Sequence, residues 1–131
     1  YVQRGGLMVQ PYLASVESFG EVSAIFFDGE YSHGVRKIPV RGDYRVQDDH
    51  GASDEPWTPD TGDRQAMEAA LAAVHERFAE HAPLLYARAD FLRDDEGRLC
   101  LNELELVEPS LFFRHDPNAG ERFADRVITR V

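Results

Sequence analysis

Leu99-Cys100-Leu101-Asn102-Glu103-Leu104-Glu105-Leu106-Val107-Glu108-Pro109 is the stretch whose reading decides the fold. Side chains in a strand alternate with period two, so Glu103 and Glu105 fall on one face while Asn102, Leu104 and Leu106 fall on the other. Cys100 belongs with Leu104, which makes it a core thiol, and Pro109 ends the strand. Upstream, residues 84–92 form a second strand-like run, and Asp94-Asp95-Glu96-Gly97 between the two runs gives a hairpin. On that earlier strand Asp90 shares a face with Tyr86, Arg88 and Leu92, opposite Leu85, Ala87, Ala89 and Phe91. A loop of Glu96-Gly97 alone, or of residues 94–97, places Asp90 across from residue 103 or 101. Either register sets Asp90 on the Glu103 and Glu105 face, and a three-residue loop with a bulge upsets it.

Working outward, residues 7–13 are apolar and end in Pro11-Tyr12-Leu13, which reads as a short buried strand running into a rigid turn. Residues 16–20 have a turn composition. Residues 21–27 and 31–38 are strand-like and flank Asp28-Gly29, a strong hairpin signal, and Pro39 closes the second strand. Residues 41–61 are polar and rich in Gly and Pro, as in a long loop, and loops of that length inside compact domains usually have a function or are disordered. Thr61 or Asp63 is placed to cap a helix carrying Met67, Ala70, Leu71, Val74 and Phe78, which stops near His81 ahead of Pro83. A last helix follows Asp116-Pro117 with Phe123, Val127 and Ile128 as its apolar stripe. The order β-ββ-α-ββ-α favours an α+β fold, an antiparallel sheet with helices packed to one side.

The 131 residues carry 14 Lys and Arg against 24 Asp and Glu, a net charge of −10. One domain, or part of a larger one, fits that length. The acid excess opposes a phosphate-backbone surface, so nucleic acid is not the expected partner. No run is long and apolar enough to span a bilayer, so no membrane partner is expected either. Residues 1–6 lead into no signal-like stretch and the first residue is not Met, which reads as an internal start. The single cysteine excludes an internal disulfide and a thiolate metal cluster and fits a reducing, cytoplasmic compartment.

Asp90, Glu103 and Glu105 within cross-strand reach repel one another unless cations or protons compensate. A hard divalent cation answers that, since magnesium takes carboxylate oxygens together with water and phosphate. The other reading leaves the acids facing solvent or paired with Arg88 and nearby cations. Arg36 and Lys37 at a strand end, with Arg41 and Arg45 in the long loop, have the chemistry to neutralise phosphates, and equally to balance surface acids. The five histidines show no metal-ligand spacing. Arg114-His115-Asp116 fits a binding role or a polar turn before a helix.

The linked pieces Val9-Gln10-Pro11-Tyr12-Leu13, Gly20-Glu21-Val22-Ser23, Val35-Arg36-Lys37, Asp43-Tyr44-Arg45-Val46-Gln47, Tyr86-Ala87-Arg88-Ala89-Asp90 and Asn102 to Ser110 resemble the C-terminal half of an ATP-grasp enzyme. The resemblance is nearest to bacterial glutathione synthetases and to related carboxylate-amine ligases and cyclo-ligases, and it extends over most of the chain. It implies ATP and Mg2+, or Mn2+, as cofactors. It further implies that Gln10, Pro11, Tyr12 and Leu13 hold adenine, that Glu21 lies near the ribose, and that Asp90, Glu103 and Glu105 bind the metal. Lys37 and Arg45, with Arg36 as an alternative to Lys37, match the cations on the phosphate or substrate side. The chain departs from the glutathione synthetases in carrying Glu105 where they have Asn, Gln47 where they more often have Asn, and one glycine, Gly51, where they have two. These departures keep an oxygen ligand but turn the expectation away from glutathione synthesis itself.

The implied activity is ATP-dependent ligation of small-molecule carboxylate and amine substrates through an acyl phosphate. The alternative is a non-catalytic nucleotide- and metal-binding or structural relative. Residues 1–131 are expected to form the C-terminal lobe, inactive by itself, with the N-terminal substrate domain and the central glycine-rich-loop lobe lying in the remainder of the parent chain. Assembly into a homo-oligomer stays open.

Overall fold

In the computed structural model residues 6–7, 9–46 and 51–131 are described, so Gln47 and the Asp48-Asp49-His50 piece of the resemblance lie outside the described residues. A short helix α1 (Ser15–Ser18) leads into β1 (Glu21–Phe27) and β2 (Glu30–Ile38), followed by β3 (Ser53–Trp57). Helix α2 (Thr61–Arg77) comes next, then β4 (Tyr86–Arg93), β5 (Leu99–Glu105) and helix α3 (Ala119–Ile128). The strands form one sheet in the order β3-β2-β1-β4-β5, and every neighbouring pair is antiparallel. Asp28 and Gly29 both take positive φ, the geometry a two-residue hairpin of matching twist demands, so that turn stands where its dipeptide predicts.

β1 lies at the centre of the sheet and is buried along its whole length. Val22, Ala24 and Phe26 face α2, where they meet Met67 and Leu71 together with Ala87, Ala89 and Phe91 of β4. Ile25 and Phe27 face the other way and pack with Val35, Phe112, Ala119 and, more exposed, Phe123 of α3. Phe26, Phe91, Ile25 and Met67 are fully buried, each worth about 1.5 to 3 kcal/mol of apolar burial. The two long helices therefore cover opposite faces, which corrects the one-sided packing expected from the element order. α3 covers only the end of its face near Phe27. Further along that face, toward the start of β1, Leu92 packs with Val16 and Val46 in a smaller cluster. Between the two apolar clusters the face is charged.

Other expectations also change. Among the described residues of the 7–13 run none lies in a strand; Leu7, Val9 and Tyr12 are exposed, and Pro11 leaves the segment without a donor that pairing would use. Residues 16–20, read as a turn, are helical in their first part, where α1 runs over Ser15–Ser18. The long polar loop contains β3, whose Pro56 is tolerated because β3 lies at the edge of the sheet. Asp60, not Thr61 or Asp63, caps α2 by accepting the Asp63 amide at 2.8 Å from an extended backbone. That frees the Asp63 side chain to take the Arg93 guanidinium at 2.7 Å. α2 ends at Arg77, followed by a 3-10 turn over Ala79–His81, and α3 begins at Ala119, after Asp116-Pro117.

His33 lies buried between β2 and the segment before α3. Its Nε2 faces the Leu111 carbonyl at 3.0 Å and must donate, so Nδ1 accepts from Ser32 Oγ at 2.9 Å. Burial pushes its pKa below the ordinary value, outweighing the Leu111 bond and nearby Asp116, while Arg122 adds to the lowering. The unfolded chain thus takes up this proton at a higher pH than the folded one, and stability falls as pH drops below about 6.5. Burial and Arg114 lower His115 as well, while its Nε2 contact with the Asp54 carboxylate at 2.7 Å opposes that shift. Urea denaturation between about pH 7.5 and about pH 5.5 is expected to show this loss. His33→Gln is expected to flatten the slope without abolishing it, and an unchanged slope would refute the assignment.

Candidate metal and nucleotide site

The hairpin joining β4 and β5 turns through residues 94–98, with Arg93 paired to Leu99 and the Asp94 amide donating to the Arg98 carbonyl at 2.9 Å. Continued without interruption, that register sets Asp90 opposite Asn102 and turns Glu103 and Glu105 toward α2, because a slip of one residue exchanges the faces. A bulge opposite Asp90 and Phe91 absorbs one residue of β5, so Asp90 pairs with Glu103 and Arg88 with Glu105. The parity expected from the sequence is thus reached with a loop of neither anticipated length. Two faces change as a result. Asn102 joins the acid face, where its Nδ2 donates to Glu21 at 2.8 Å, instead of joining Leu104. Cys100 pairs with Leu92 on that face and lines a cleft there, which corrects its placement in the Leu104 layer.

Three carboxylates meet as a result: ligand oxygens of Asp90, Glu103 and Glu105 lie within 4.8 Å of one another. Asp90 is fully buried, and its oxygens take Ser23 Oγ at 2.6 Å, Arg88 Nη2 at 2.9 Å and Lys37 Nζ at 3.3 Å. Arg88 also pairs with Glu105, and Lys37 also pairs with Glu21. Lys37 is held at the right height by the close approach of Gly20, where a Cβ would come within 2.1 Å of the Lys37 carbonyl oxygen. Burial pushes the Glu21 carboxyl up, against the pull of Lys37. Among the described residues two cations thus face four carboxylates, an excess of two negative charges, the charge of one divalent ion. The all-oxygen donor set, with Glu103 exposed and able to meet an incoming phosphate, fits magnesium.

Beside the acids, Gln10, Pro11, Tyr12, Leu13, Glu21 and Arg45 line one cleft of about 490 Å³. Tyr12 and Tyr44 meet edge to face with centroids 6.4 Å apart. Arg45 is exposed and bonds Asp43 through Nη2 at 2.6 Å, which holds the Asp43 carboxyl below the usual carboxylate range. Glu21 joins the cleft to the acids: Gln10 bonds Asn102, Asn102 bonds Glu21, Glu21 pairs with Lys37, and Lys37 reaches Asp90.

The structure separates Arg36 from this set. It points to the opposite face, pairs with Glu55 of β3 and lies 5.5 Å from the Phe19 ring. Arg114 and His115 bond Asp54 of β3, and Asp116 bonds Arg122, in the turn before α3. Reading the sequence for the site passed over Ser23 and Asn102 and took Arg88 only as a counter-ion. Arg88 was within reach of that reading, two residues before Asp90 on the same strand face. The bulge that delivers Asn102 left no such sign.

No protein-family model matches the chain. By sequence it is 34% identical over 130 residues to the cycloserine biosynthesis protein DcsG of Streptomyces lavendulae, covering 95% of this chain and 42% of that protein. A crystal structure of D-cycloserine synthetase DcsG matches 92% of the chain with a TM-score of 0.79 and 32% identity, over 41% of its own length. D-alanine–D-alanine ligase of Bacillus anthracis, solved with ATP, matches 83% of the chain and 36% of its own with a TM-score of 0.57 and 17% identity. The ATP-grasp ligase PsnB matches 85% and 35% with a TM-score of 0.52 and 13% identity. The fold is that of ATP-grasp ligases. The chain spans about two-fifths of the length of DcsG, a relative by sequence.

Arg88 and Asp90 form a buried pair, whereas Arg36 and Glu55 are both partly exposed. Removing one partner of a buried pair strands the other charge, so Arg88→Leu is expected to cost about 3 to 5 kcal/mol in chemical denaturation. Arg36→Leu is expected to cost no more than about 1 kcal/mol. Equal costs would show that Asp90 does not depend on Arg88.

Proposed function

We propose that this chain supplies the metal and triphosphate side of an ATP-dependent carboxylate-amine ligase. The observation that carries the reading is the pairing of Asp90 with Glu103, which gathers three oxygen ligands beside two buried cations and next to a cleft of nucleotide size. Asp90, Glu103 and Glu105 are the residues that would hold Mg2+, with Mn2+ as a second candidate. A divalent ion there supplies neutralisation of phosphate oxygens during phosphoryl transfer. The assignment of adenine to Gln10, Pro11, Tyr12 and Leu13 and of the sugar to Glu21 is what the resemblance implies, and their shared lining of one cleft supports it. Lys37 and Arg88 are fixed donors at the acid cluster, and Arg45 brings a further charge from the rim; Arg36 has no part in it.

In the proposed reaction a substrate carboxylate oxygen attacks the γ-phosphorus and ADP leaves. An amine then attacks the acyl carbon and phosphate leaves. Positioned charge, not acid-base exchange, carries such a step, so Lys37 and Arg88 serve by holding donors where negative charge accumulates. The segment carrying Tyr44 and Arg45 is placed to close over the cleft and keep water from the acyl phosphate. The remainder of the parent chain is the expected partner for completing the site. No described helix is long and apolar enough to cross a membrane, and a cytoplasmic setting fits the ATP requirement. A second reading, a non-catalytic binding or structural relative, draws on the Arg88 bridge, which satisfies Asp90 and Glu105 without any ion.

Calorimetric titration of the full-length protein with a nonhydrolysable ATP analogue, with and without Mg2+, tests the reading. Binding is expected to require Mg2+ and to weaken by about tenfold or more in Glu103→Gln. Equal binding by both proteins would remove Glu103 from the ligand set. Binding by neither, with both folded, would favour the structural reading.

A further inference from the structure

Asn102 has a place that neither its alternation nor its exposure suggests. The bulge turns its side chain onto the acid face, and there it is held on both sides: Gln10 Nε2 donates to Oδ1 at 3.2 Å, and Nδ2 donates to Glu21 Oε2 at 2.8 Å. The orientation of the amide is fixed, because an ionised carboxylate only accepts and so requires the nitrogen. The other Glu21 oxygen is taken by Lys37. Both oxygens of this largely buried carboxylate are thus tied from the sheet side, while Glu21 lines the cleft and presents its remaining lone pairs there. An acceptor so fixed selects neutral donors, and hydroxyl groups are the simplest. Along the cleft Glu21 stands between Gln10 to Leu13 on one side and the Lys37 and Asp90 cluster on the other. In a nucleotide the sugar lies between base and phosphates.

We infer that Asn102 is a positioning residue, delivered to the cleft by the β5 bulge, which holds Glu21 as acceptor for the vicinal hydroxyls of the nucleotide sugar. The inference rests on the nucleotide reading above. It makes the bulge serve two ends: one extra residue turns the metal-side acids to the correct face and supplies the clamp for the sugar-side acid. Gln10 extends the clamp to the segment assigned to the base, so that base, sugar and metal sides share one hydrogen-bonded chain.

The test is calorimetry on the full-length protein at saturating Mg2+, comparing a nonhydrolysable ATP analogue with its 2′,3′-dideoxy counterpart in the wild type, Asn102→Ala and Asn102→Asp. The wild type is expected to prefer the hydroxylated analogue by about tenfold or more, the measure of hydrogen bonds to a charged acceptor. In both variants that preference is expected to fall to within about threefold, with affinity for the dideoxy analogue held within about threefold of the wild type, which also reports an intact cleft. Variants that keep the wild-type preference overturn the inference and leave the nucleotide reading standing. Equal weakening toward both analogues overturns it as well, by showing that Asn102 maintains the strand and not the acceptor. A folded wild type that binds neither analogue overturns the nucleotide reading and this inference with it.

Discussion

The buried charge of Asp90 is the constraint on which the rest of the structure depends. A carboxylate removed from water costs several kcal/mol unless its partners are in place, and here those partners come from three strands: Ser23 of β1, Lys37 of β2 and Arg88 of β4. Ser23 and Lys37 register their strands against it, while Arg88 reaches it from its own strand. β1 must present Ser23 opposite Asp90, and β2 must bring Lys37 level with Glu21, an alignment that the contact between Gly20 and the Lys37 backbone enforces. A slip in either pairing would carry Ser23 or Lys37 away and leave the carboxylate with Arg88 of its own strand.

The surroundings sharpen the effect. On the same face Tyr86 joins the apolar cluster under α3, and Leu92 joins the one beside α1, so Arg88 and Asp90 lie between two hydrophobic walls. Charges in such a setting interact more strongly than they would on an open sheet, and they stay where the strands put them. α3 covers one end of this face and stops short of the acids, which is how one face both stabilises the fold and remains open to a ligand. The opposite face, packed by α2, has no such division.

How much of this was legible follows the same physics. The two hairpins and α2 rest on alternation and turn chemistry, which are local, and they stand; Asp90, Glu103 and Glu105 also converge, but through the bulge and not through alternation alone. β3 was hidden because its Pro56 and polar neighbours read as loop, and only its edge position makes them acceptable. Residues 7–13 misled because an apolar run says nothing about whether an edge is available to pair with. The choice between Lys37 and Arg36 could not be settled by composition; the strand's alternation places them on opposite faces, and only the identity of the face beneath decides between them. The bulge at Asn102 is a non-local compromise between the loop at residues 94–98 and the burial of both faces, so nothing in the neighbouring residues announces it. The ATP-grasp part of the family resemblance agrees with the relatives found, while its glutathione synthetase part is an expectation drawn from motifs alone.

Among the described residues β3 and β5 are the outer strands of the sheet, and each has backbone groups on one side that no neighbouring strand uses. Such rims invite other chains to add on. β3 carries Pro56, which offers no amide, and β5 carries the bulge together with Glu103 and Glu105, which interrupt its ladder and bring like charges to any identical strand laid beside it. The irregularity that assembles the acids therefore also guards the protein against runaway self-association, and smoothing it away to gain a straighter strand would sacrifice solubility along with the site.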